Sequence, residues 1–327
     1  MAQRRQELEL WLRQACGLEE FELEPASADA SFRRYFRVRL ADGATRIAMD
    51  APPEREDCRP FVEVAARLEA VGVHAPRIHA QNLEQGFLLL EDLGDRLYLD
   101  ELDEARVEGL YGNALGALMS MQACIDPAGL PLYDRALLLE EMELFREWLL
   151  ETHLSMALTG AENQMLDRVF GLLADSALEQ PRVFVHRDYH SRNLVAGVSP
   201  EPGVLDFQDA VEGPVTYDLV SLLRDCYIRW PRERVLEWAW GYFQLAVQSG
   251  VLREAHEADF LRWFDLMGVQ RHLKAAGIFA RLYHRDHKPG YLGDIPRTLG
   301  YVTEVGRDYE ALRPLADFVE EKVLSVL

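Results

Sequence analysis

The chain has 327 residues, 49% of them hydrophobic and 28% charged, and a formal net charge of −20 at pH 7. Such a composition belongs to a folded globular chain with room for two lobes rather than to a disordered one. The acidity makes a nucleic-acid backbone or an anionic membrane a poor partner, because each needs a basic footprint, although basic residues can still cluster locally.

Cys16, Cys58, Cys124 and Cys226 are far apart with no C-x-x-C pair, which reads as buried cytosolic thiols rather than a disulfide framework. The opening segment MAQRRQELELWLRQACGL reads as an amphipathic helix without the apolar run of a signal peptide. No stretch approaches the ~18 consecutive apolar residues of a membrane span. The expectation is a cytoplasmic monomer with no nucleic-acid or membrane partner. After the first helix, SFRRYFRVRL and ATRIAMD flank Asp42-Gly43, a hairpin signal. PFVEVAARLEAVG reads as a helix opening at Pro60 and closing at Gly72, and GFLLLEDLGD as a short buried strand entering a turn. From Gly94 the pattern turns helical: Val107, Leu110, Tyr111, Ala114, Leu115 and Leu118 share one helix face. LLLEEMELFREWLL and QMLDRVFGLLADSAL behave alike, and helices resume from Tyr217 to the end. Two short strand regions interrupt them, RVFVH and a hairpin NLVAGV…GVLDF across SPEPG. The fold class is therefore α+β, with a small antiparallel-sheet lobe over residues 1–93 and a larger, mainly helical lobe over 94–327.

The segment VFVHRDYHSRNLV, residues 183–195, crowds ionisable groups at a strand end. A metal cluster of His186, Asp188 and His190 is one reading, weakened by the absence of a second His/Cys/Asp group at ligand spacing. Phosphoryl transfer uses more of the residues. It needs a carboxylate to take a hydroxyl proton and hard oxygen ligands for Mg²⁺ on ATP. Asp188 fits the base, Asn193 a ligand, and Asp206 at the end of GVLDF the second ligand. Asp218 is open between a plain helix cap and a group that accepts hydrogen bonds from the Asp188 loop. No G-x-x-x-x-G-K-[ST] segment occurs, which disfavours a P-loop enzyme.

H-x-D-x-x-x-x-N followed by a strand-terminal D-F resembles the catalytic core of the protein-kinase-like superfamily, and the continuation DFQDAVEGPVTYDLVSLLRD resembles its aminoglycoside-phosphotransferase branch. DASFRRYFRV with AMDAPPERED, GFLLLEDLGD, HRDYHSRNL and GVQRHLKAAGIFARLYHRDHKPGYLGDIPR narrow the likeness to the cell-wall amino-sugar 1-kinases, over residues 25–300. The resemblance implies a protein-kinase-like bilobal fold, with a nucleotide-binding lobe at 1–93 and a catalytic, sugar-binding lobe at 94–327. It also implies ATP-dependent phosphorylation of the anomeric (C1) hydroxyl of N-acetylmuramate and N-acetylglucosamine in peptidoglycan recycling, with Mg²⁺. Kinases of another alcohol (aminoglycoside, choline or homoserine) and a nucleotide-binding pseudokinase are the alternatives.

On this reading Asp188 is the base, His186 braces the loop, and Arg192 meets the charge on the transferred phosphoryl group, or else pairs with a nearby carboxylate. The superfamily's strand lysine is missing, since lysine occurs only at 274, 288 and 322. Its position falls near Asp50, and the partner helix glutamate near Phe61, with Glu63 close by. Arg33 and Arg34 of the arginine-rich strand, with Ser31 before it, are the expected phosphate groups, and Glu91 and Leu93 the adenine hinge. Residues 262–297 hold seven Lys/Arg against three Asp. Arg271, Lys274 and Arg281 lie close to one helical face, and with His190 and His272 they are the candidates for receiving an anionic sugar.

Overall fold

Asp42-Gly43 turns the chain where the sequence places a hairpin. In the computed structural model, which describes residues 2–27 and 32–327, β2 (Arg34–Leu40) and β3 (Thr45–Asp50) pair antiparallel, with Gly43 at φ +86° in the turn. The chain divides into two compact units, Met1–Leu97 with Leu194–Asp209, and Tyr98–Asn193 with Ala210–Leu327.

The first unit is an antiparallel sheet ordered β1-β2-β3-β5-β4, with β1 at Phe21–Ser27, β4 at Ile78–Asn82 and β5 at Phe87–Glu91. The first helix, α1 (Ala2–Gln14), buries Leu8, Trp11 and Leu12 in one cluster with Phe36, Val38, Ala48, Phe87 and Leu89. A second helix, α2 (Arg59–Ala70), buries Phe61, Val64, Ala65 and Leu68, the i, i+3, i+4, i+7 stripe that its sequence announces. A short hairpin of β7 (Leu194–Val195) and β8 (Gly203–Val204) completes the unit. Strands β1 and β4 carry no apolar run and were not foreseen. They are the two edges of the sheet, where one flank is solvated and residues such as Glu22, Glu24 and Pro25 are tolerated.

The second unit is helical. It contains α3 (Tyr98–Glu101), α4 (Val107–Cys124), α5 (Arg135–Leu144) continuing as a π-helical Phe145–His153, and α6 (Gly160–Leu178). A two-stranded ladder of β6 (Arg182–Val185) and β9 (Val211–Pro214) separates these from α7 (Tyr217–Leu223), α8 (Arg232–Gln248), α9 (Glu257–His284), α10 (Ile295–Gly306) and α11 (Arg313–Phe318). Strand β9, with the sequence VEGP, lacks any strand signature and exists because β6 supplies its hydrogen bonds. Helix α9 spans 28 residues and packs against α5, the π-helical turns, α6, α7 and α10. It is buried on most sides, which is why charged residues such as Arg271 and Lys274 lie in the interior. Among the described residues no helix is long and apolar enough to cross a membrane.

Gly277 allows the close approach of α9 to the α5 end. A Cβ there would lie 2.2 Å from the carbonyl carbon of Leu144 and 2.4 Å from its oxygen. Backbone cannot yield as a side chain does. Gly277→Ala is therefore expected to destabilise the protein by ~1–3 kcal/mol or more, the scale of overpacking, in urea unfolding followed by circular dichroism. An unchanged midpoint would mean that the two helices are not held in this contact.

Candidate active site

The segment His186–Asn193 leaves β6 and forms neither helix nor strand, so its peptide N–H groups need partners from elsewhere. Two buried carboxylates provide them. Asp218, in the first turn of α7, accepts the N–H of His186 (2.6 Å) and of Arg187 (2.9 Å). Asp225, just beyond α7, accepts the N–H of Ser191 at 2.9 Å. Asp218 at the start of α7 and Asp225 just past its end both face the same loop. Of the two readings of Asp218, the geometry is that of the loop-holding group. Burial pushes its carboxyl up to about 7, against the lowering by the two amide donors.

Other bonds of the loop are internal to it. His186 Nδ1 accepts the Asp188 N–H (3.2 Å), a bracing contact, and the Asn193 side-chain amide donates to the Asp188 carbonyl (3.0 Å). Tyr189 is fully buried and its hydroxyl donates to the Ala114 carbonyl at 2.9 Å. Arg187 adopts φ +77°, an uncommon conformation for a residue with a Cβ, which turns Asp188 out of the strand direction. The metal-cluster reading has no support in this arrangement: among the described residues no three His, Cys, Asp or Glu side chains converge.

Around Asp188 the charges are mostly positive. Burial works to raise its carboxyl, but Lys274, His190, Arg271 and Arg187 hold it below the usual value, so it is ionised and ready to accept a proton. Lys274 is itself fixed by the buried Glu141 (2.8 Å) and by the Tyr217 hydroxyl (2.9 Å). Glu141 also pairs with Arg187 and accepts from the Tyr133 hydroxyl. Glu141, Tyr133 and Asp225 carried no motif in the sequence. Only the seven-residue spacing of Asp225 from Asp218 was a signal that could have found one of them.

The other sugar-side candidates occupy different depths. His190 is partly buried beside Tyr227, with a ring separation of 5.4 Å, and its Nδ1 has no hydrogen-bond partner among the described residues. Arg271 is 6% exposed, donates to the Cys226 sulfur at 3.6 Å, and keeps an unpartnered Nε among the described residues. His272 is fully buried, its Nε2 2.8 Å from the Arg224 carbonyl and its ring stacked on Tyr301, which leaves no face for a ligand. Burial and the neighbouring Arg271 lower it to about 3, so it is neutral. Arg281, near the end of α9, is partly buried with an unpartnered Nε among the described residues.

In the sheet unit, the position expected for a lysine holds an acid. Asp50 is fully buried on β3 and binds Arg4 of α1 (2.5 Å) and Arg34 of β2, two guanidinium groups on one carboxylate. Arg33 lies 3.6 Å from Asp206, and Gln208 also donates to Asp206 (2.9 Å). Phe61 stacks obliquely on Phe207 at 4.6 Å, whereas Glu63 pairs with Arg67 on the outer face of α2. An aromatic contact thus ties α2 to the Asp206-Phe207 step. Asp206 has φ +61° and is partly exposed. Its carboxylate is a hard donor of the type magnesium takes, and the Asn193 amide oxygen of the second unit is another, so each residue by its chemistry fits that ion. Glu91 ends β5 with its carboxylate on the Arg77 N–H (3.2 Å) and His74 (3.3 Å), and Leu93 is buried. Ser31 lies outside the described residues.

Lys274→Met tests the charge around Asp188. A catalytic base works ionised, so with Asp188 in that role activity falls as pH drops through its pKa. Removing the cation raises that pKa, and the acidic limb of the kcat/KM profile is expected to move to higher pH. Stability should drop by ~1.5–3 kcal/mol, the range for hydrogen bonds to charged groups. An unmoved limb would show that Lys274 does not influence the base.

Comparison with known proteins shows the family and the fold. Residues 22–264 match the profile of the phosphotransferase enzyme family. The N-acetylmuramate/N-acetylglucosamine kinase of Pseudomonas aeruginosa is 54% identical over 88% of this chain and 84% of its own, and that of Pseudomonas putida 50% identical over 91% and 88%. Among solved structures, choline kinase from Cryptosporidium parvum superimposes with a TM-score of 0.65 at 11% identity, covering 97% of this chain and 99% of that one. ADP-bound aminoglycoside phosphotransferase APH(2'')-Ib does so at 0.58 and 13%, covering 90% and 97%. These structures establish the protein-kinase-like fold, and the profile and the relatives together establish descent: the chain belongs to the phosphotransferase enzyme family.

Proposed function

We propose that the chain is an ATP-dependent kinase that phosphorylates the anomeric (C1) hydroxyl of N-acetylmuramate and N-acetylglucosamine, in the cytoplasm, as a step of peptidoglycan recycling. The observation that carries the reading is the Asp188 loop: a carboxylate held ionised by surrounding cations, on a loop fixed by Asp218 and Asp225, in a chain about half identical to kinases named for those two sugars.

In the proposed reaction Asp188 accepts a hydrogen bond from the C1 hydroxyl and aims its oxygen at the γ-phosphorus. The proton passes to the carboxylate as the new O–P bond forms and ADP leaves. An anomeric hydroxyl is more acidic than other sugar hydroxyls, so the demand on the base is modest. Asn193 and Asp206 would hold Mg²⁺, which when bound neutralises charge on the nucleotide's phosphates. Arg192 faces the transferred group. Arg33, Arg34 and Ser31 address the phosphates of ATP, and the Arg4–Asp50–Arg34 cluster keeps a net positive charge beside them. Main-chain groups at Glu91 and Leu93 hold the adenine.

On the sugar side, the cations near Asp188 suit the lactyl carboxylate of N-acetylmuramate and disfavour cationic acceptors such as choline or an aminoglycoside. Arg271 and Arg281 keep donor atoms without partners among the described residues, and His190 offers a ring nitrogen. Lys274 and the interior His272 support this wall from behind.

Phosphorus NMR of the product, across a panel of amino sugars, choline and aminoglycosides, tests the assignment. A 1-phosphate, coupled to the anomeric proton, is expected from both N-acetylated sugars. Phosphorylation at another hydroxyl, or turnover confined to the cationic alcohols, would contradict it. Arg281→Ala is expected to raise KM for N-acetylmuramate about tenfold or more while changing that for N-acetylglucosamine far less, since only the former carries the carboxylate.

A further inference from the structure

Arg192 makes an unusual set of contacts for a charged residue. Its guanidinium carbon sits 4.8 Å from the ring centre of Tyr227 and 5.1 Å from that of Tyr291. Among the described residues no carboxylate pairs with it; its partners are the two tyrosines, through ring contacts and side-chain hydrogen bonds. The two rings are themselves fixed. Phe279, 4% exposed, stacks on Tyr291 at 5.7 Å and contacts Tyr227 at 6.1 Å. The Tyr227 N–H donates to Asp225 (2.9 Å), the carboxylate that also holds the loop at Ser191. Tyr291 rides on the 3₁₀ turn Pro289–Asp294. Asp294 of that turn pairs with Arg297 (2.6 Å), and Arg297 in turn donates to the Cys226 carbonyl (2.9 Å).

A guanidinium is planar, with all its N–H bonds in the plane. Aromatic rings attract it over its faces, and although the two tyrosine side chains also accept hydrogen bonds from it, five N–H donors leave some for an anion, which a bidentate carboxylate partner would instead consume. We propose that Tyr227 and Tyr291 are positioning residues for phosphoryl transfer: they hold Arg192 through their rings and hydroxyls so that its remaining N–H donors meet the oxygens of the transferred phosphoryl group. This rests on the reading of the chain as a kinase with Arg192 at that group. Two segments far apart in sequence, one after α7 and one before α10, must both be in place for the arginine to be held. A lysine at 192 would keep the charge and lose the stacked geometry.

The test is steady-state kinetics of Arg192→Ala, Arg192→Lys, Tyr291→Ala, Tyr291→Phe and Tyr227→Ala, with ADP affinity measured for each as a check on folding. Arg192→Ala and Arg192→Lys are both expected to lower kcat. Tyr291→Ala and Tyr227→Ala should each lower kcat about tenfold with ADP affinity unchanged, and Tyr291→Phe, which keeps the ring, should restore most of the loss. Low concentrations of guanidinium should partly rescue Arg192→Ala but not Arg192→Ala/Tyr291→Ala, because the slot between the rings is then gone. A merely structural role for Tyr291 would not govern that rescue. Normal kcat in Tyr291→Ala beside an impaired Arg192→Ala would overturn the positioning role alone. Normal kcat in Arg192→Ala would overturn both it and the assignment of Arg192.

Discussion

The hydrogen bonds from the His186–Asn193 backbone to Asp218 and Asp225 are the constraint on which the rest of the second unit depends. An irregular loop packed among helices has amide groups that would each cost about 1–3 kcal/mol if left unpaired. Two carboxylates, one in the first turn of α7 and one just past its end, satisfy three of them and fix the direction in which Asp188 points. The arrangement is itself costly, since burial raises Asp218 toward neutrality. It persists because ionised Asp218 receives two short amide bonds and because α7, which carries it, is entirely buried. Asp225 extends the same support outward to Tyr227, so one acid links the backbone of the loop to the ring that carries Arg192.

Charge placement follows a second rule. The chain is strongly acidic overall, yet Asp188, the proposed base, is set among cations, and acids that lie farther in anchor two of these. Glu141 serves Lys274 and Arg187 in this way, and Asp50 serves Arg4 and Arg34 in the sheet unit. In each case a carboxylate holds two cations and leaves a net positive charge, without exposing an unpaired cation in the interior. Arginine suits this better than lysine because one guanidinium can bind an acid and still present donors elsewhere. Near the position where the resemblance leads one to expect a lysine the chain has Asp50, and Phe61 packs on Phe207.

How much of this was legible in the sequence differed by scale. The hairpin at Asp42-Gly43, the α2 stripe and the long helices were visible because local periodicity and turn chemistry determine them. Edge strands β1 and β4 and the short β9 were not, because hydrogen bonds from a neighbouring strand, rather than their own residues, make them strands. The H-x-D-x-x-x-x-N segment announced the Asp188 loop. Its supports were hidden, since Glu141, Tyr133, Tyr227 and Tyr291 reach the loop only through packing across the chain. His272 looked like a ligand group by composition, and lies in the interior because α9 is buried on that side.

The central claim is that Asp188 takes the proton of the sugar hydroxyl. Comparing Asp188→Asn with the unaltered protein, under saturating Mg·ATP and N-acetylglucosamine and with nucleotide affinity measured in parallel, tests it most directly. The account requires kcat to fall by about 10²–10⁴, the contribution of a general base, while ATP still binds. Turnover within a few-fold of the unaltered protein would contradict it.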